Sequence, residues 1–114
     1  MCAASVKIDK QGYIATLTLS NPGKRNAMDL EAGGKLSYAF ASLDMDRKLR
    51  CVVIRGEGTE AFAAGADISE FPENRANAAQ AKVYGDSVAM ALSTLQGCRH
   101  PTIAKIYGAC AGGG

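Results

Sequence analysis

Cys51-Val52-Val53-Ile54 is a short continuous apolar run, and Gly56-Glu57-Gly58 closes it. A run this short, uninterrupted by polar residues and rich in β-branched side chains, reads as a strand buried on both faces. Strands of that kind belong to parallel sheets, which need helices between consecutive strands. The flanking sequence supplies them. Upstream, Leu36, Ala39, Phe40 and Leu43 fall at i, i+3, i+4 and i+7, the stripe of an amphipathic helix. Asp29 stands before it as an N-cap, because its carboxylate can accept from free N–H groups two or three residues on. Gly33-Gly34 lies inside this helix at a cost of about 1 kcal/mol per glycine against alanine. Close packing is the reason such a pair suggests.

Downstream, the helical period returns from about Asn77 to Gln96, with Val88, Ala91, Leu92 and Leu95 on one stripe and Val83 further back. Gly97 is a C-terminal stop and Pro101 follows it. Thr102 to Tyr107 reads as another strand. At the front, Tyr13, Ala15, Leu17 and Leu19 alternate with Thr16 and Thr18, so a hairpin is predicted around Lys10 to Gly12. Ser20-Asn21-Pro22-Gly23 ends its second strand. A loop rich in Ala and Gly is expected from Ala61 to Asp67. The order is strand, strand, helix, strand, helix, strand, an α/β layered architecture with crossover units. Three glycines, Gly112 to Gly114, then follow a strand, where a tight strand-to-helix turn is expected and a further helix after it.

With 114 residues the chain is sized for one domain. It is 47% hydrophobic and 21% charged, as ordinary globular proteins are. A net charge of +2, scattered basic residues and no Trp argue against a nucleic-acid surface. Cys2, Cys51, Cys98 and Cys110 lack the short spacings of metal or redox motifs, and His100 is the single histidine. No metal site is expected, and the cysteines read as buried or free thiols of a reducing compartment. Met1 to Val6 is not the apolar core of a signal peptide, and no run of about 18 apolar residues occurs. The expected setting is therefore cytoplasmic or an organelle matrix, with no membrane partner.

Two Gly/Ala-rich loops follow predicted strands, one after Ile54 and one after Tyr107. Such loops present bare backbone N–H groups, and two of them converging on one point would make an oxyanion hole. Taken singly, loops of this composition are more often plain turns. Neither carries a G-x-G-x-x-G pattern or a P-loop Lys-Ser/Thr ending, so those nucleotide readings fail.

Four segments occur together and in order. They are Asn21-Pro22 with Lys24-Arg25-Asn26-Ala27-Met28, Val52 to Gly56, Ala61-Phe62-Ala63-Ala64-Gly65-Ala66-Asp67-Ile68, and Pro101 to Ile106 with Gly108 and Gly112-Gly113-Gly114. This set resembles the enoyl-CoA hydratase/isomerase (crotonase) family from about Val6 onward. The resemblance implies a crotonase-like (ClpP/crotonase) spiral of ββα units, with residues 1–114 as the N-terminal part of the domain. It implies an acyl-CoA substrate, with coenzyme A entering as part of it and no other cofactor. The leading expectation is hydration of the 2,3 double bond. The alternatives are another reaction of the family, such as isomerisation, decarboxylation or hydrolysis, or a non-catalytic CoA-binding fragment. An unrelated α/β interaction domain would leave the four segments unexplained.

By the same resemblance, the backbone N–H groups of Ala66 and Gly113 are the oxyanion donors. The backbone around Ala64 and Ala66 matches the part that receives the adenine end of coenzyme A, so Asp67 and Ile68 join the candidate binding set. The loop with Lys24, Arg25 and Ala27 matches the strip beside the pantetheine and phosphates. For Lys24 and Arg25 a plain solvated loop is the alternative. Asp67 is expected to hold its loop or cap the helix after it. Family members often carry a Lys soon after the Ala-Asp-Ile/Leu triplet. Here Ser69 and Glu70 follow, which removes a cation from that position, and Glu70 reads as a surface residue of a helix start. The two hydratase glutamates and the acyl pocket are expected beyond Gly114, and residues 1–114 alone are expected to be inactive. Complete members of the family are expected to form trimers or hexamers.

Overall fold

The antiparallel pair β1 (Ser5–Gln11) and β2 (Ile14–Ser20) turns at Gly12, with Gln11 opposite Ile14. The computed structural model describes residues 4–70, 72 and 76–114. Alternation along β2 follows the sequence pattern. Ala15, Leu17 and Leu19 are buried, and Thr16 and Thr18 are half-buried. Tyr13 stays outside, with the Arg50 guanidinium 4.6 Å from its ring centroid.

From β2 the chain crosses through α1 (Leu30–Asp44) to β3 (Cys51–Gly56), which lies parallel to β2. Asp29 caps α1, its Oδ1 accepting from the Ala32 N–H at 2.7 Å. It then passes through β4 (Ala61–Ala63), a 3-10 turn at Ile68–Glu70 and α2 (Ala78–Gln96) to β5 (Thr102–Lys105), parallel to β3. Asn77 caps α2 through its side chain, which accepts from the Gln80 N–H at 2.9 Å. Gly97 ends α2 with a φ of −85°, so the stop does not use a left-handed glycine. The main sheet has the order β1-β2-β3-β5. A second sheet pairs β4 with β6 (Ala109–Cys110) in parallel. The chain is thus two ββα units followed by the two strands of a third.

The register aligns Ala15 with Val52 and Thr102, and Leu17 with Ile54 and Ala104. On that face Ala15, Leu17, Val52 and Ile54 form one core with Ala39, Phe40 and Leu43 of α1. The expectation that β3 is buried on both faces is corrected. Val52, Ile54 and Gly56 are buried, while Cys51, Val53 and Arg55 are half-buried beside Thr16, Thr18 and the exposed Ile103. A continuous apolar run reports a central strand. It does not report how many faces a helix covers.

Further expectations change. The stretch Ala61–Ala63 is a strand, and so is Ala109–Cys110 within the Gly/Ala-rich tail. Elements this short fall below the length at which periodicity can be read. The strand predicted to Tyr107 ends at Lys105. The apolar stripe of α2 is buried only at Ala91; Leu95 packs on the core, and Val83, Val88 and Leu92 remain exposed. Among the described residues Cys51, Cys98 and Cys110 are free thiols, and Cys2 lies outside them. No helix among the described residues is long and apolar enough to cross a membrane.

The two sheets meet where β3 ends. A Cβ on Gly56 would stand 2.2 Å from the Phe62 carbonyl oxygen and 2.4 Å from that of Ala61, so only glycine lets β3 pass so close to β4. The same carbonyls are held by Asn26, whose buried Nδ2 donates to Ala61 O at 2.9 Å and Phe62 O at 3.3 Å. Its Oδ1 accepts from the Asn21 N–H at 3.2 Å. Asn26 has a φ of +59°, a left-handed conformation that asparagine tolerates better than most residues. Asn26→Ala is therefore expected to lower the unfolding free energy of the intact polypeptide by roughly 1–3 kcal/mol, from stranded buried polar groups alone. Denaturant titration measures it, and an unchanged midpoint would show that these bonds hold nothing together.

Candidate active site

The segment around Ala66 takes its shape from Met28. The Met28 N–H donates to the Gly65 carbonyl at 2.8 Å, and the Asp67 N–H donates to the Met28 carbonyl at 2.8 Å, a parallel bridge centred on Ala66. In extended backbone, successive N–H groups point to opposite sides. Gly65 O and Asp67 N are turned toward Met28, so the Ala66 N–H is turned away from it.

The glycine run packs on the same segment. A Cβ on Gly65 would meet Ala111 O at 3.0 Å and Gly113 N at 3.2 Å. Gly65 also has a φ of +97°, so both space and conformation call for glycine. Ala111 to Gly114 form a turn in which the Gly114 N–H donates to Ala111 O at 2.8 Å, with Gly112 at a φ of +56°. The Ala111 N–H donates to Ala63 O at 3.2 Å and pins this turn to β4. A turn closed from residue i+3 back to residue i leaves the N–H of its third residue, here Gly113, outside its own hydrogen bond. Ala66 and Gly113 are both exposed.

Both also border a cavity of about 530 Å³. Its walls come from α1 (Gly33, Leu36, Phe40), α2 (Ser87, Val88, Ala91, Leu92, Leu95), the sheets (Ile54, Phe62, Ala104) and Ile106 just after β5. Val88 and Leu92 of the exposed α2 stripe face this space, which explains why they are not covered by the core. An apolar cavity thus opens between two helices whose stripes were read as core. Among the described residues that line it, Asp29 is the one carboxylate. Its oxygens already accept from the N–H groups of Ala32 at 2.7 Å and Ala4 at 3.2 Å.

The remaining candidates divide into two groups. Lys24, Ala27, Ala64 and Asp67 are brought together. The Ala64 N–H donates to Arg25 O at 3.0 Å, and Ala27 is buried with its carbonyl accepting from Asn21 Nδ2 at 2.7 Å. Lys24 Nζ lies 3.0 Å from Asp67 Oδ2 and 3.3 Å from Ser69 Oγ. Asp67 Oδ1 accepts from the Ser69 N–H at 3.1 Å and the Ser69 hydroxyl at 2.6 Å. The side chains of Arg25 and Ile68 stand apart on the outside. Arg25 Nε is 3.5 Å from Glu60 Oε1, with both side chains mostly exposed, and Ile68 is 73% exposed. The Glu70 side chain lies outside the described residues. Sequence reasoning missed Asn26 and Asn21 as the ties that hold this loop. The visible signal was two asparagines in a turn cluster, which is too common to single them out.

The sequence profile of the enoyl-CoA hydratase/isomerase family matches residues 9–114. A short-chain-enoyl-CoA hydratase of Clostridium acetobutylicum is 31% identical over 111 residues, which cover 96% of this chain and 41% of that protein. A mitochondrial Delta(3,5)-Delta(2,4)-dienoyl-CoA isomerase of Dictyostelium discoideum is 32% identical, over 90% of this chain and 38% of its own. Among solved structures, an enoyl-CoA hydratase/carnithine racemase from Magnetospirillum magneticum superposes with a TM-score of 0.92 at 44% identity, covering 96% of this chain and 42% of that one. The chain therefore spans about two fifths of the length of these relatives. Matched by the profile from residue 9 to residue 114, and by solved structures over the same α/β units, the chain belongs to the enoyl-CoA hydratase/isomerase family and has its crotonase-like fold.

Proposed function

We propose that the protein bearing this chain is an enoyl-CoA hydratase, and that the chain supplies the oxyanion hole and part of the acyl cavity. The observation that carries this reading is the approach of the Gly113 amide to Gly65, beside Ala66, at the edge of an apolar cavity. The thioester oxygen of a 2-enoyl-CoA accepts from the N–H groups of Ala66 and Gly113. Water oxygen bonds to C3, the double-bond electrons move onto the thioester as an enolate, and C2 then takes up a proton. The N–H pair stabilises the negative charge where it accumulates, which lowers the barrier more than it strengthens ground-state binding. The groups that move the protons come from outside this chain in our reading, since Asp29 is committed to backbone amides. Coenzyme A enters as part of the substrate, and the reaction needs no metal or redox cofactor. The same N–H pair would serve an isomerase, the activity named for the Dictyostelium relative.

Asp67 serves this site by position. Its hydrogen bonds from Ser69, then that from Lys24, hold its carboxyl below the ordinary aspartate value, so it is charged at neutral pH. The charge keeps Lys24 and the 3-10 turn against the bridge at Met28.

Incubation of the intact polypeptide with crotonyl-CoA in ¹⁸O-water is expected to give 3-hydroxybutyryl-CoA carrying one labelled oxygen. A shift of the double bond in 3-enoyl-CoA without hydration would replace the hydratase reading by isomerisation. Replacing the Ala66 amide by an ester removes the N–H while keeping the shape, and avoids the proline that Gly65 at +97° would not accommodate. This change is expected to lower kcat by about 10²–10³-fold with little effect on KM. A loss under about twofold would remove Ala66 from the oxyanion hole. Asp67→Asn is expected to lower the melting temperature at neutral pH. Because the folded carboxyl titrates below its unfolded value, its stabilisation is present above the unfolded value and fades as pH falls through the lowered one. The two melting temperatures should therefore converge in acid. A gap that persists undiminished there would assign the loss to packing.

A further inference from the structure

Gly33 and Gly34 occupy the interior of α1, where glycine is the least favoured residue apart from proline. The two glycines face different spaces. Gly34 borders a shallow groove beside Val6, Ile8 and Tyr38, and a Cβ there would meet nothing within 4 Å. Gly33 lines the apolar cavity, half-buried, and a Cβ there would stand 3.0 Å from Ser87 Oγ of α2. Gly33 is thus a point where α1 packs tightly against α2 at the cavity wall. Along α1 it lies one turn beyond Leu30, which follows the Met28–Ala66 bridge, and it precedes Leu36 and Phe40, which line the cavity further on. A helical side chain leans toward the helix N-terminus. Any side chain larger than methyl at this position would therefore enter the passage between Ala66 and the Leu36–Phe40 end.

We infer that Gly33 is a specificity-determining residue: its missing side chain opens the neck through which the alkyl chain of a medium-length acyl-CoA passes toward Leu36 and Phe40. The inference rests on the proposed seating of the thioester oxygen at Ala66 and Gly113. An acyl group of four carbons, held there by its carbonyl, stops short of the neck. One of eight carbons or more must pass it.

The test uses the intact polypeptide and the affinities of butyryl-CoA and octanoyl-CoA, read by calorimetry, because binding of saturated thioesters does not depend on hydratase chemistry. Gly33→Leu is expected to weaken octanoyl-CoA by about tenfold or more, the affinity carried by two or so buried methylenes, and to leave butyryl-CoA within about twofold. Gly34→Leu makes the same helix-favouring change one residue away and should bind both ligands as the wild type does. Equal weakening of both ligands in Gly33→Leu, an unchanged preference, or the same selective loss in Gly34→Leu would overturn the assignment. If the wild type binds both thioesters but hydrates no enoyl-CoA, the hydratase reading fails while the chain-length ratio still decides the role of Gly33. If the wild type binds neither, both readings fall.

Discussion

Everything at the site hangs on the docking of one loop, residues 21–28, against the strand and turn at residues 61–67. The contact joins backbone hydrogen bonds to those of the Asn26 side chain. Asn26 reaches across to the carbonyls of Ala61 and Phe62, the Ala64 N–H returns a bond to Arg25 O, and Met28 closes a parallel bridge around Ala66. Burying so many peptide groups is tolerable only because each finds a partner. The bridge has a further consequence. By engaging the groups on either side of Ala66, it turns the Ala66 N–H away from the loop. The one buried side-chain polar atom left without a hydrogen-bond partner among the described residues is Asn21 Oδ1.

Small residues let two more backbones reach the same place. β3 runs against β4 because Gly56 has no Cβ to strike the Phe62 carbonyl, and the turn at residues 111–114 sits on Gly65 for the same reason. A binding point made of main-chain amides has a physical advantage for chemistry at a carbonyl. Its donors are fixed by the surrounding hydrogen bonds and need little reorganisation as charge develops. The charged side chains nearby act differently. Lys24, Asp67 and Ser69 satisfy one another, and Arg25 pairs with Glu60 at the surface, so their attractions stiffen the rim instead of entering the cavity.

The cavity draws the two helices into the functional reading. α1 gives its Ala39, Phe40 and Leu43 face to the sheet, and Phe40 also reaches the cavity wall. α2 is held to the core mainly through Ala91 and Leu95, which leaves Val88 and Leu92 facing open space. An amphipathic stripe reports an apolar neighbour of some kind. Whether that neighbour is another side chain or a ligand depends on the separation of the helices, which residues such as Gly33 and Ser87 set.

Local rules carried much of this architecture. The hairpin at Gly12, the caps Asp29 and Asn77, the span of α2 and the central place of Cys51–Gly56 follow from short-range preferences that act within a few residues. The family was also legible, because four small-residue segments keep their order and spacing. What the sequence could not supply were relations between segments far apart in the chain. The pairing of Ala61–Ala63 with Ala109–Cys110 joins strands too short to show a period. The half-exposed face of β3 depends on where the helices lie, and the hold of Asn26 spans 35 residues. The sequence determined the hairpin, the two helices and the strands that begin at Cys51 and Thr102. Only the tertiary structure decided that the turn at residues 111–114 packs on Gly65 and how wide a space lies beside it, since contact distances arise from packing and not from local conformation.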